Sequence, residues 1–137
     1  MTDLHEQCLL AKQASRSLRS LSLAERNSVL NSFADNLLQH QDFILLQNQK
    51  DLTEAVTLSD AMKDRLTLNP ERIEAIAEGI RQVADLDDPL HIVLEERTLK
   101  SGIHLKKITV PMGVIGIIFE SRPNVSADCT ALCFKAG

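Results

Sequence analysis

The chain has 137 residues, enough for one domain that buries roughly two thirds of the surface its unfolded form exposes. Its 44% hydrophobic and 25% charged residues are ordinary globular usage and exclude a disordered chain. A net charge of -4 supplies no positive field for phosphate backbones or anionic lipid, so nucleic acid and membrane surfaces are not expected as partners.

The first ten residues mix Asp3, His5 and Glu6 with Leu4, Leu9 and Leu10, an amphipathic opening without a signal region. From there to about Asp88 the apolar residues recur three or four apart, and Gly79 is the only glycine. Ser22 followed by Glu25 has capping-box spacing and predicts a helix from about Leu23, with Val29, Leu30, Phe33, Leu37 and Leu38 as its buried stripe. His40, Gln41 and Asp42 interrupt the pattern before residues 43–46, which start a second helix or a kinked continuation. Asn69, Pro70 and Glu71 read as cap, first-turn proline and first-turn acid of a helix with Ile73, Ile76, Ala77, Ile80 and Val83 on its apolar face. Asp60, Lys63, Asp64 and Arg65 read as a solvated helical face.

Asp87, Asp88 and Pro89 end the helical region, and the period changes to two over residues 92–99 and 103–110. Ser101 and Gly102 between them predict a β-hairpin, with Glu95 or Glu96 opposite Lys106 or Lys107. Then comes the apolar run 114–119, the length of a buried strand and far too short to span a bilayer. A polar turn follows, then a helix from about Asn124 to Lys135 with Gly137 beyond it. The fold class expected is α/β: a helical region over 1–90, a hairpin arm over 91–111, and strand, loop and helix over 112–137.

Ligands of open α/β sheets bind at the carboxyl ends of strands, which singles out the turn Glu120-Ser121-Arg122-Pro123-Asn124. Arg122 offers a planar fork of donors for carboxylate or phosphate, and Asn124 and Ser121 add neutral hydrogen bonds near a helix start. The competing reading is that Asn124 caps its helix and Arg122 is a solvated charge. Gly113 and Gly116 lie before and inside the apolar run, whereas a dinucleotide fingerprint places its glycines after the strand, so they read as close packing. Cys129 and Cys133, spaced i, i+4, read as helix core and not as a metal pair or nucleophile; His5, His40, His91 and His104 are scattered singly. Three cysteines without an export signal imply reduced thiols in the cytoplasm.

Residues 110–125, Val-Pro-Met-Gly-Val-Ile-Gly-Ile-Ile-Phe-Glu-Ser-Arg-Pro-Asn-Val, resemble the start of the cofactor domain of gamma-glutamyl phosphate reductases, members of the aldehyde dehydrogenase superfamily. Asp128 and residues 131–137 continue the pattern, and residues 48–52, 62–73 and 76–83 resemble the family's helical region. The resemblance implies an NADP-dependent oxidoreductase of proline biosynthesis that reduces gamma-glutamyl phosphate to glutamate 5-semialdehyde through a cysteine thioester. It places Ile118, Phe119, Glu120 and Ser121 on the nicotinamide side of an NADP site, and Arg122 with Asn124 on the substrate. It implies a homo-oligomer joined by the hairpin arm and work alongside glutamate 5-kinase; no metal is expected, because no second Cys or His pair has ligand spacing. The family's nucleophile lies beyond residue 137, so no catalytic residue is assigned, and the chain is expected to be a fragment that is inactive alone. The rival expectation is a non-catalytic assembly module.

Overall fold

The computed structural model describes residues 3–120 and 122–137. Its elements in chain order are α1 (Leu4–Leu18), α2 (Leu23–Gln39), α3 (Gln41–Glu54), α4 (Asp60–Leu66), α5 (Pro70–Asp85), β1 (Val93–Thr98), β2 (His104–Ile108) and α6 (Pro123–Lys135).

The helix starts follow from local capping chemistry. At α2 the Ser22 Oγ accepts from the Glu25 N–H at 3.3 Å, while the Glu25 carboxylate accepts from the Ser22 N–H at 2.7 Å. The Ser22 hydroxyl and then its backbone N–H favour the charged carboxylate, so Glu25 titrates below its ordinary value. At α5 the Asn69 side chain accepts from the Arg72 N–H at 2.8 Å, and Pro70 gives up no hydrogen bond at the first helical position. α2 and α3 are separate helices, broken at His40, whose φ of -101 and ψ of 16 are not helical.

Three helices build the core: α5 packs across α2, and α6 packs on both. Leu30 and Ala34 of α2 meet Ala77, Ile80 and Ala84 of α5 and Ala127 and Ala131 of α6. So many alanines bring the helix axes close, and the larger Phe33, Leu37, Leu38, Ile76, Val83 and Phe134 close the margins. Val29, expected in the α2 stripe, is 46% exposed. The buried line runs through Arg26, Leu30 and Ala34 at four-residue spacing, and an arginine occupies the place where an apolar residue was expected.

Arg26 is 2% exposed, and its Nη2 lies 2.6 Å from both carboxylate oxygens of Asp88 while Nη1 donates to the Leu21 carbonyl at 2.8 Å. Lys135, at the end of α6, is also buried, and its ammonium donates to Asn27 of α2 and to the Ala84 carbonyl of α5. These two cations tie the C-terminal ends of α5 and α6 to the start of α2. Just beyond, Gly137 has φ of +77, as a glycine closing a helix should, and a Cβ there would lie 2.9 Å from Leu90 Cδ1.

β1 and β2 pair antiparallel with Glu95 opposite Lys107 and Glu96 opposite Lys106, and a bulge falls between Val93 and Glu95. Gly102, φ +85, provides the left-handed residue of the connecting loop. Both strands are exposed along their whole length, so the hairpin stands off the helical body.

The run 114–119 departs from the strand expected there. It pairs with no strand among the described residues, and Ile115, Ile117 and Phe119 stay between 43% and 49% exposed. A parallel strand needs neighbours on its edges to take its N–H and C=O groups, and the hairpin lies elsewhere. Among the described residues the architecture is thus helical with one small antiparallel sheet.

Candidate functional site

α6 begins at Pro123 with Arg122 as its N-cap residue, and no side chain caps it. Asn124 does not cap the helix either: its Nδ2 donates to the Asp128 carboxylate one turn on, at 3.1 Å. Arg122 is exposed and forms no ion pair with any described residue. It lies on a cleft of about 430 Å³ between the start of α6 and the corner where α4 passes into α5. Arg122, Asn124 and Asp128 line one side; Asp64, Arg65, Thr67 and Arg72 line the other.

Fixed hydrogen bonds hold the α4–α5 wall. Arg72 donates through Nη1 to the Asp64 and Thr67 carbonyls, at 2.5 and 2.6 Å, and through Nη2 to the Asp64 carboxylate at 2.9 Å. Asn48, buried in α3, donates to the Leu66 carbonyl at 2.8 Å and accepts from the Leu68 N–H at 2.7 Å, satisfying both sides of the link. The two cleft acids are therefore engaged, Asp64 by Arg72 and Asp128 by Asn124. Neither Arg65 nor Arg122 forms an ion pair among the described residues.

A second cleft of about 260 Å³ adjoins the first, lined by Met62, Phe119, Glu120 and Val125 together with the same Arg65 and Arg122. The described residues of the turn predicted from the sequence thus form one wall of the two clefts, and Asp64 and Arg65 line the first of them instead of forming only a solvated face. Their part was not legible because the residues lie almost 60 positions from Arg122.

Ile118 is fully exposed, Phe119 half-exposed and Glu120 exposed; Ser121 lies outside the described residues. Ile118, Phe119 and Glu120 have no backbone hydrogen bond to another segment among the described residues. A dinucleotide also needs a cradle for its pyrophosphate, and among the described residues Gly113 and Gly116 have open space around them before the turn instead of a tight turn after it. The described residues therefore do not by themselves fit a whole dinucleotide.

Cys129 and Cys133, expected in the core, are half-buried instead. They line an apolar groove between α6, the face of α1 around Ala11 and Leu18, and residues 113–119. Ala127 and Ala131, on the adjacent face of α6, occupy the core. No described helix is long and apolar enough to cross a membrane.

No protein-family model matches the chain. A gamma-glutamyl phosphate reductase of Aliarcobacter butzleri is 49% identical over 93% of the chain and 31% of its own length. One of Pelodictyon phaeoclathratiforme is 51% identical over 96% of the chain and 31% of its own length. The crystal structure of the gamma-glutamyl phosphate reductase of Thermotoga maritima superposes with a TM-score of 0.94 at 32% identity, covering 97% of the chain and 33% of that structure. The chain spans about a third of the length of these relatives. At this identity, and with the same backbone path, the chain is a homologue of the gamma-glutamyl phosphate reductases over that third of their length.

Proposed function

We propose that the chain forms part of an NADPH-dependent reductase that converts gamma-glutamyl phosphate to glutamate 5-semialdehyde in proline biosynthesis. The observation that carries this reading is the placement of Arg122, without an ion-pair partner among the described residues, at the uncapped start of α6 and on a cleft, in a chain homologous to that family. A guanidinium fork suits the phosphate or carboxylate of such a substrate, and the exposed N–H groups of a helix start add to the same field.

In this reading Arg122 binds and orients the anionic substrate, and Asn124, steadied by Asp128, adds an amide beside it. Ile118, Phe119, Glu120 and Ser121 contribute one edge of the NADP site, whose remaining walls belong to other parts of such an enzyme. The bound cofactor would supply hydride. Residues 114–119 would become a parallel strand of its Rossmann-like domain once flanked by neighbours, and the hairpin would serve as the arm of a homo-oligomer. The setting is the cytoplasm, with glutamate 5-kinase as the source of the acyl phosphate.

The 137 residues alone should show no turnover with glutamate 5-semialdehyde, phosphate and NADP. Substituted for the matching third of the Thermotoga maritima enzyme, they should give an active NADPH-dependent reductase. In that chimera Arg122→Ala should lower kcat/KM about ten- to a hundredfold, since a hydrogen bond to a charged group contributes about 1.5 to 3 kcal/mol, while NADPH affinity changes little. A folded chimera without activity, or an Arg122→Ala variant that weakens NADPH binding and spares substrate kinetics, would overturn the reading. A non-catalytic assembly module is the second reading, favoured by the exposed apolar run 114–119, and activity of the chimera would count against it.

A further inference from the structure

We infer that Arg65 of α4 is a second substrate-binding residue, forming with Arg122 a two-pronged clamp for an oxyanion group at the junction of the two clefts. The inference rests on the proposed role of Arg122 and extends it to a residue from a distant part of the chain.

Among the described residues lining the two adjoining clefts, Arg65 and Arg122 are the two that line both. One cleft leads past Phe119 and Glu120, the other past Asn124 and Asp128. An anion at the junction would lie between these two ends. Of the other charges, Arg72 spends its fork on two carbonyls and the Asp64 carboxylate, Asp128 accepts from the neutral Asn124 amide and keeps its charge, and Glu120 lines the second cleft. Arg65, by contrast, is exposed and has no ion pair among the described residues. Two guanidinium groups that form no ion pair among the described residues are thus brought to the same pair of clefts by elements far apart in sequence, and an oxyanion held by both forks would have to compete with the Glu120 carboxylate that lines the second cleft. Arg72 is then a positioning residue, since its bonds to the Asp64 and Thr67 carbonyls hold the end of α4 that carries Arg65.

The ligand chemistry is an oxyanion, which an acyl phosphate of glutamate carries both as phosphate and as carboxylate. The test titrates the full chain with inorganic phosphate, and separately with glutamate, at constant ionic strength, following the backbone amide resonances of Arg65, Leu66, Asn124 and Val125. Saturable shifts on both the α4 and the α6 side are expected, and the tighter of the two titrants identifies the group held. Arg65→Gln and Arg122→Gln should each weaken binding about tenfold or more. Arg65→Lys should recover part of the loss, and Lys63→Gln, the same charge change outside both clefts, should leave it unchanged. Because Arg65 is exposed, its variants should melt like the wild type, so lost binding is not lost folding. If Arg122→Gln abolishes binding and Arg65→Gln does not, the clamp is rejected and the role of Arg122 stands. If the wild type shows no saturable shift with either anion, both are rejected.

Discussion

The two buried cations carry the largest single-residue consequences for stability. Arg26 has lost nearly all contact with water, and among the described residues its Nε has no partner and Asp88 is the carboxylate paired with its charge. Removing one partner of a buried pair costs about 3 to 5 kcal/mol, and because Asp88 is itself 28% exposed we expect Asp88→Ala to cost about 2 to 3 kcal/mol. Urea unfolding would measure it, and a loss under about 1 kcal/mol would mean that water reaches the guanidinium. Lys135 differs in kind: burial holds its pKa below the ordinary value, the Asp88 carboxylate opposes that shift and the Arg26 charge adds to it. The folded chain therefore binds fewer protons than the unfolded one between the lowered value and about 10.4, and stability gains as pH rises through that window. At neutral pH both forms are protonated and the cost is fully present. Wild type should thus gain stability relative to Lys135→Met as pH approaches 10.4, and a difference that stays flat across that range would contradict the burial of the ammonium. Neither cation was legible from the sequence, because periodicity counts Arg26 and Lys135 as polar positions and cannot see partners 62 and 108 residues away.

At the scale of elements, what could be read was what neighbouring residues decide. The Ser22 and Glu25 box, the Asn69 and Pro70 start, the loop glycine at 102 and the pairing of Glu96 with Lys106 all depend on residues close in sequence, and each has its expected place. What could not be read depends on long contacts: which face of α6 the cysteines take, and that α4 comes beside the start of α6. Asn48 shows how such a contact is held. Its one amide satisfies a carbonyl and an N–H on the link between α4 and α5, which no backbone ladder reaches. Asn48→Ala would leave both groups without their partner and should cost about 1 to 3 kcal/mol. Asn48→Asp should remain destabilised, because a carboxylate accepts from the Leu68 N–H but cannot donate to the Leu66 carbonyl. Since those bonds hold the end of α4 that carries Arg65, the alanine variant should also weaken anion binding without touching an anion-binding side chain. A variant of unchanged stability would show that water replaces the amide at no cost.

For the molecule as a whole, stability should be unevenly distributed, and the boundary follows from where the apolar surface is buried. α2, α5 and α6 share one core, whereas α1 buries no residue completely and the hairpin is exposed throughout. Residues 112–120 make no backbone hydrogen bond to another segment among the described residues, and their apolar side chains face solvent. Amide exchange in the native chain should therefore separate three classes. Amides in the middle of α2, α5 and α6 should open only with global unfolding, those of α1 and the hairpin at lower free energy, and those of 112–120 at close to unfolded rates. The homologous enzyme of Thermotoga maritima is about three times longer than this chain, and our reading gives residues 114–119 neighbouring strands in such an enzyme. In the chimera the same amides should then become among the slowest, because a central parallel strand is protected on both edges. Strong protection at 114–119 in the dilute chain alone would contradict the structure and point to pairing between two copies, which a tenfold change in protein concentration would reveal.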